Sequence, residues 1–373
     1  MKIPVDPGSI PGRRIELKMS EEEQNQETEE IQEVQKNFSS WYNKNYKKLL
    51  ILPLVLLILS IAYIGIFYSQ NGDFIRKDVS LTGGTTITIF GENTIDIENL
   101  RNSLSNEITD FSIRELSDLR SGKQEAIIVE SSIDSSILKQ ALEGILEYEL
   151  TNENSSIEFT GSSLSNDFYK QLLYAILLSF SFMALVVFFI FGGYWKVKAS
   201  SVILTLIPVI LFSSGVISIN IAIIANILVL LFNFIFYLKH SIPSVAVVTS
   251  AFADIIMTLA LVDLLGITVS SAGIIAFLML IGYSVDTDIM LTSRLLKRKE
   301  SEINTRLYNA FKTGMTMTLS SIVAVGVALI FTYTFSETLK QIFTILLIGL
   351  GFDLFNTWIT NASILKWFLE KKD

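Results

Sequence analysis

Cysteine is missing from this chain of 373 residues, and histidine occurs only once, at His240. Without thiols the chain has no disulfide framework, no thiolate metal site and no thiol nucleophile. His240 follows Lys239 at the end of an apolar run, a position typical of a membrane interface. The sequence motifs of P-loop nucleotide hydrolases, zinc peptidases and serine hydrolases are also missing. The sequence therefore predicts neither an enzyme nor a bound cofactor.

Positive charge is scarce as well. The chain has 29 lysines and arginines against 37 acidic residues, which gives a formal net charge of −8. Proteins that bind nucleic acid carry a basic patch or stripe, and here the bases form none outside the short loops that flank apolar segments. The composition therefore argues against nucleic acid as a partner.

Hydrophobic residues, in contrast, make up 50% of the chain, and the mean hydropathy is +0.49. That composition excludes an ordinary soluble protein. A predominantly apolar run of about twenty residues is long enough to cross a bilayer. Eight such segments predict a polytopic α-helical membrane protein: 49–68, 172–191, 200–219, 221–238, 243–265, 269–291, 310–333 and 339–368.

The basic residues also predict an orientation. Lys44, Lys47 and Lys48 precede the first apolar segment, and the later loop bases fall on the same side if every segment spans. Because basic loops stay inside, we expect a multi-pass protein of the cell membrane with both termini cytoplasmic. The predicted domains are a disordered acidic cytoplasmic tail (1–45), a first transmembrane helix (46–68), an external α+β domain (69–168), a transmembrane bundle (169–368) and a short cytoplasmic tail (369–373).

The segment between the first two spans has a soluble, alternating pattern. Residues 85–90 and 127–129 are rich in β-branched side chains, and residues 137–146 repeat apolar side chains at helical spacing. The resulting βαββαβ order is that of a ferredoxin-like fold. The expected elements are a strand at 79–90, a helix at 95–108, strands at 111–116 and 125–130, a helix at 134–150 and a strand at 156–160.

Three stretches of the chain are distinctive. The first is Leu-Thr-Gly-Gly-Thr at 81–85, which contains Gly83 and Gly84. The second is Ile-Gly-Tyr-Ser-Val-Asp-Thr-Asp at 281–288, and the third is Gly-Phe-Asp-Leu-Phe-Asn-Thr-Trp at 351–358. In this order and spacing, across residues 45–365, they resemble the SecF family of protein-export membrane proteins in its archaeal form. The family's signature helix is matched by Gly282, Tyr283 and Ser284, with the trailing Arg294.

The chain also departs from that family. SecF proteins usually have six spans, and the two additional ones form an apolar hairpin at about residues 192–238. The bacterial Asp-Phe and His-Asp pairs are replaced by Ser80-Leu81 and Ala253-Asp254. Bacterial members carry an acidic residue at the position of Thr287 in the signature helix. The basic residue that opens the next span is Lys312 in this chain.

Asp254, Asp286 and Asp353 each lie within an apolar segment, where an acid is costly. Each either faces a water path or a partner, as proton coupling requires, or is hydrogen-bonded to polar neighbours and fixes helix packing. Asp286 is the first candidate for coupling, followed by Asp254 and Asp353, with Lys312 as a candidate ion partner. Asp288 lies about 200° around the helix from Asp286, and we expect it at the cytoplasmic interface with a structural role.

Three further residues have mainly structural interpretations. Arg294 is typical of a cytoplasmic anchor, with pairing to an acid or a lipid phosphate as the alternative. Gly83 and Gly84 indicate a tight packing position under the external sheet rather than a contact with substrate.

The resemblance implies a SecF subunit that pairs with SecD in a pseudo-symmetric bundle. Its partners would be a SecYEG-type translocon, the translocating polypeptide and membrane lipids, and coupling to the proton-motive force stays open. Two alternatives are a stand-alone exporter of lipids or small molecules and a non-transporting scaffold for a translocon. A domain of about one hundred residues is small for the exporter, which needs a cavity outside the membrane.

Overall fold

The computed structural model describes residues 42, 44–90, 95–108, 111–117, 121, 123–297, 302–333 and 336–372, so the tail expected at 1–45 lies almost wholly outside it. Within these residues, eight helices are long and apolar enough to cross a membrane, as the sequence predicts. In chain order the elements are α1 (Ile51–Asn71), α2 (Val79–Thr82), β1 (Gly84–Phe90), α3 (Ile97–Leu104), β2 (Phe111–Ser117), β3 (Gln124–Ser131), α4 (Ser135–Leu146), β4 (Ser155–Thr160), α5 (Ser162–Phe191), α6 (Trp195–Ser213), α7 (Ile219–His240), α8 (Ile242–Leu264), α9 (Ser271–Lys297), α10 (Ile303–Thr332), α11 (Glu337–Asn356), a π-helical turn (Thr357–Asn361) and α12 (Ala362–Lys372).

The four strands form one antiparallel sheet in the order β2-β3-β1-β4. Helices α3 and α4 cover one face of the sheet and contribute Leu104, Leu138 and Leu142 to its core. Those side chains are fully buried against Ile87 and Val129 of the central strands. The βαββαβ order expected from the sequence is therefore present.

One expected strand is shorter than the sequence suggests. Residues 79–82 of the strand expected at 79–90 form the single helical turn α2, because the Asp78 side chain accepts a hydrogen bond from the Val79 amide. Gly83 then adopts a φ of 80°, a left-handed conformation that favours glycine, and β1 begins at Gly84. The helices expected at 95–108 and 134–150 are also shorter, since each ends within its predicted range.

The sheet is tied to the bundle just after α1. Lys77 and Val269 form a parallel bridge, in which the Asp78 amide donates to the Val269 carbonyl at 3.0 Å. Arg114 of β2 extends this connection, since its Nη2 lies 2.8 Å from Asp78 Oδ2 and 2.5 Å from Glu130 Oε2. The α+β region is thus held to the loop that leads into α9.

Helices α6 and α7 form the additional hairpin at the edge of the bundle. The Ser181 hydroxyl of α5 donates to Asn226 Oδ1 of α7 at 2.7 Å. Asn233, two turns later, accepts from Ser201 at 2.9 Å and donates to Thr205 at 3.0 Å, and both partners lie on α6. These buried polar contacts hold α7 against its two neighbours, whereas large side chains such as Ile221, Leu228 and Ile235 face outward.

Candidate functional site

The last spanning helix is interrupted by the π-helical turn Thr357–Asn361 between α11 and α12. Such turns are rare and occur frequently at functional sites, because the extra residue per turn redirects side chains. Here the turn and the residue before it place three polar side chains, Asn356, Thr357 and Asn361, in fully buried positions. These side chains meet the acids of α8, α9 and α11.

Asp254 of α8 is fully buried and has two hydrogen-bond donors from other helices. The Ser284 hydroxyl of α9 donates to Oδ2 at 2.6 Å, and Asn356 Nδ2 donates to Oδ1 at 2.7 Å. The Asn356 oxygen in turn accepts from Thr360 at 3.2 Å. Asp254 therefore joins α8, α9 and α11 at one point.

Asp288 of α9 and Asp353 of α11 share one hydroxyl group. Thr357 Oγ1 lies 2.9 Å from Asp288 Oδ1 and 3.1 Å from Asp353 Oδ1, and Asn361 Nδ2 donates to Asp288 Oδ1 at 2.7 Å. A threonine hydroxyl has one hydrogen and donates to one acceptor at a time. The two carboxyl groups therefore share that one hydrogen, unless one of them carries a proton and donates to Thr357 Oγ1.

We name the group of Asp254, Asp288 and Asp353 the acid cluster. Among the described residues, no basic nitrogen lies within 4.0 Å of these carboxylates. Each of Asp288 and Asp353 also has a buried Oδ2 atom without a hydrogen-bond partner. Buried charges without a counter-ion are strongly unfavourable, so these carboxyl groups lack the surroundings that several ionised carboxylates would need.

A divalent metal suits the acid cluster poorly. Across the ranges that the structure describes, no three acidic, histidine or cysteine side chains converge in an arrangement that could hold a metal ion. The chemistry that the residues themselves support is proton uptake and release, with the hydroxyl and amide groups of Ser284, Asn356, Thr357 and Asn361 as the donors that stabilise the ionised forms.

Asp286 lies on the opposite side of α9 from the acid cluster. It is exposed, and so is Gly282 one turn earlier. Ile275, Met279 and Tyr283 continue this face with exposed fractions of 46%, 41% and 46%. We name these five residues the exposed stripe of α9. Thus Asp254 and Asp353 belong to the acid cluster, whereas Asp286 does not.

The expected position of Asp288 at the cytoplasmic interface is wrong, because this residue is fully buried. Residues two apart on a helix point in nearly opposite directions, so only one of Asp286 and Asp288 can face the bundle. The polar side chains of the π-helical turn lie on the Asp288 side.

The two basic candidates lie apart from the acid cluster. Lys312 of α10 is exposed, and no ion pair within 4.0 Å links it to a described acid. Arg294 donates from Nη1 to the Asn309 carbonyl at 3.1 Å and to the Thr313 hydroxyl at 2.7 Å. Arg294 therefore joins the end of α9 to α10.

The glycines of the first distinctive stretch allow close backbone contact. A Cβ atom on Gly83 would lie 2.6 Å from the Cα of Ser162, and one on Gly84 would lie 2.2 Å from the Ser131 carbonyl oxygen. A side chain at either position would collide with backbone, which agrees with the packing role expected from the sequence. Gly282 has no atom within 4 Å of its Cβ position, in keeping with its place on the exposed stripe.

Three residues of the site, Asn356, Thr357 and Asn361, were not among the predicted site residues. Thr357 and Asn361 hold Asp288, and with Asn356 they place three polar side chains within six positions of an otherwise apolar segment. Such a density of polar side chains inside a spanning segment is a sequence signal for a functional site. The π-helical turn that directs them inward has no such signature.

Comparisons with known proteins agree with this architecture. The family model described as "Protein export membrane protein SecD/SecF, C-terminal" matches residues 210–371. The protein-export membrane protein SecF of Methanocaldococcus jannaschii is 34% identical over 333 residues, which cover 88% of this chain and 97% of that protein. SecF of Methanolacinia petrolearia is 30% identical over 327 residues, covering 87% and 94%.

A solved structure shares the fold. The crystal structure of SecDF, a translocon-associated membrane protein from Thermus thermophilus, superposes with a TM-score of 0.56 at 14% identity. The superposition covers 89% of this chain and 38% of the SecDF chain. By its identity to SecF proteins across most of both sequences, this chain belongs to the SecF family of protein-export membrane proteins.

Proposed function

We propose that this multi-pass membrane protein assists the export of polypeptides across the cell membrane as the SecF subunit of a complex with SecD. The name of its relatives, protein-export membrane protein, supports this function. The similarity to SecDF supports the partner, because this chain covers only 38% of that structure and leaves room for a SecD-like part. The role is that of a transport component rather than an enzyme.

The exposed stripe of α9 is the observation that carries the proposal. Asp286 stands eleven residues before Lys297, which ends α9, or about 16 Å from that end at 1.5 Å per residue. A carboxylate facing hydrocarbon at such a position costs about 2.5–3.5 kcal/mol on insertion scales. A second membrane protein with polar or basic groups would remove that cost, and we assign this place to SecD.

The acid cluster supplies the proposed coupling to the proton-motive force. Asp254, Asp288 and Asp353 connect three helices through Ser284 and Thr357, so a change of protonation would change which helices are hydrogen-bonded to each other. Proton binding would thereby bias two arrangements of α8, α9 and α11. We propose that Asp288 and Asp353 are the groups that exchange the proton, with Asp254 as their neighbour.

The orientation completes the proposal. Both termini lie in the cytoplasm, and the α+β region formed by β1 to β4 lies outside, where it contacts the emerging polypeptide. The distribution of lysine and arginine around the spans supports this orientation. A SecYEG-type translocon and membrane lipids are the further partners.

The partner is tested by affinity purification of the tagged full chain from native membranes in a mild detergent. We expect SecD to copurify in an amount nearly equal to that of the tagged chain. The control is an unrelated tagged multi-pass protein of the same membrane. A chain that purifies intact without SecD would contradict the proposal. It would leave the scaffold and stand-alone exporter as the remaining functions.

A further inference from the structure

An apolar cavity of about 430 Å³ lies between the additional hairpin and the rest of the bundle. Leu177 of α5, Leu230 of α7, Ile255 of α8 and Phe277 of α9 line it, and every other lining side chain is apolar as well. Protein interiors are close-packed, with few voids larger than a water molecule. The helices that line this space therefore do not pack closely against one another there.

The cavity arises from the path of the chain. Helices α7 and α8 meet at Ser241, where Phe188 stacks on Tyr237 at 4.1 Å and the Ser241 hydroxyl donates to the Phe191 carbonyl at 3.3 Å. The lining residues of α7 and α8 begin ten or more positions from this junction, at least about 15 Å along either helix. The two helices diverge from the junction and leave a wedge in the half of the bundle nearer the α+β region.

The wedge opens sideways rather than toward water. Ile227, Leu231 and Phe252 line it and are still 43%, 53% and 40% exposed, and all three lie within membrane-spanning helices. Whatever enters from that side comes from the hydrocarbon region of the bilayer.

An apolar cavity of this kind takes an apolar occupant. Even a cavity of about 150 Å³ lined by aliphatic and aromatic side chains excludes water and binds benzene. Left empty, the lining would lose the dispersion contacts that hydrocarbon supplies. A lipid chain restores those contacts and is present at high concentration beside the opening.

The polar end of the occupant is suggested by the sequence next to the cavity. Phe74 and Ile75 line it, and Arg76 and Lys77 follow them directly. The Lys77 ammonium lies 4.9 Å from the centre of the Tyr169 ring, which in turn contacts the Phe74 ring at 6.4 Å. The Lys77 ammonium is paired with Asp73 Oδ2 at 2.9 Å, so the exposed Arg76 is the basic side chain at this end that complements the phosphate of a lipid whose chain lies in the wedge.

We propose that this cavity is a binding site for one phospholipid, with a hydrocarbon chain between α5, α7, α8 and α9 and its phosphate beside Arg76. The additional hairpin forms one wall of the site and thereby holds a lipid against the bundle. The proposal is independent of the protein-export function.

The test is retention of lipid by the full chain in its native complex after exchange into detergent, read by native mass spectrometry. Leu230→Trp fills the cavity, and Leu228→Trp places the same side chain on the outward face of α7, where Leu228 is 61% exposed. We expect one phospholipid on the wild type and on Leu228→Trp, and about a tenfold lower occupancy in Leu230→Trp, equivalent to about 1.4 kcal/mol. Equal occupancy in all three proteins, or none in the wild type, would overturn the proposal.

A second measurement, on protein without the cavity-filling substitution, identifies the occupant. Benzoylphenylalanine at Leu177 is irradiated in membranes that contain phosphatidylglycerol, and the same probe at exposed Val323 of α10 is the control for bulk lipid. We expect lipid adducts at Leu177 to survive detergent exchange before irradiation, whereas those at Val323 disappear. A polypeptide adduct at Leu177 would show that a protein segment occupies the site and would refute the lipid assignment.

Discussion

Asp286 and Asp288 stand two residues apart on α9, yet Asp286 is exposed on the outer face while Asp288 is fully buried against Thr357 and Asn361. The same turn of helix thus presents one acid to the outer face and one to the interior of the bundle. We therefore assign the two acids different roles. We propose subunit recognition for the exposed acid and proton exchange for the buried acid.

The exposed stripe predicts where SecD binds. Replacing Met279 and Tyr283 together by alanine removes two large side chains from the exposed stripe. In a well-packed interface each truncation costs about 1–2 kcal/mol of binding free energy. The double variant should therefore lower copurified SecD at least about tenfold. The matched control is Val323→Ala with Val327→Ala on the exposed face of α10. Deleting the hairpin at about residues 192–238 should leave SecD bound, and loss of SecD in that deletion but not in the α9 variant would contradict this assignment.

The sequence revealed the eight spans and the βαββαβ order, because apolar length and periodicity are local properties. It did not reveal which of Asp286 and Asp288 faces inward, since both lie in the same apolar segment and rotation about the helix axis is set by packing. Asp288 faces inward because Thr357 and Asn361 supply donors there. Those donors depend on a π-helical turn, which periodicity does not predict.

Gly84 is predicted to be irreplaceable in the sheet. Its φ of 147° is unfavourable for other residues, and a Cβ would lie 2.2 Å from the Ser131 carbonyl oxygen. Gly84→Ala should lower the free energy of unfolding of the α+β region by more than about 2 kcal/mol. Gly144→Ala on the open face of α4 is the control and should raise it by about 0.5–1 kcal/mol. Thermal protease-resistance curves measure both, and equal curves would contradict the clash.

Glu130 predicts a pH dependence for the same region. Burial raises the pKa of Glu130 from 4.5 to about 7, although Arg114 beside it acts in the opposite direction. Since the folded form then binds a proton that the unfolded form releases, stability should fall as pH rises from about 4.5 to about 7. Glu130→Gln should flatten this slope, whereas Glu125→Gln at an exposed position of β3 should keep it. A slope unchanged by Glu130→Gln would contradict the role of this carboxyl group.

The proposed orientation is testable because the chain has no native cysteine. A cysteine at Ser121, in the α+β region, should react with a membrane-impermeant maleimide in intact cells. A cysteine at Lys299, between α9 and α10, should react only after permeabilisation. The reverse pattern would place the α+β region in the cytoplasm.

Proton-dependent export is the measurement that tests the acid cluster most directly. Membrane vesicles carrying the wild-type complex, Asp288→Asn or Asp286→Asn would export a reporter polypeptide with and without an imposed proton gradient. Asparagine keeps the shape of aspartate and its hydrogen bonds to neighbours but cannot exchange a proton. We expect Asp288→Asn to retain SecD and to lose the gradient-dependent part of export, and Asp286→Asn to keep gradient dependence in whatever complex it forms. Normal gradient dependence in Asp288→Asn, with its loss in Asp286→Asn, would contradict the assignment of proton exchange to the buried cluster.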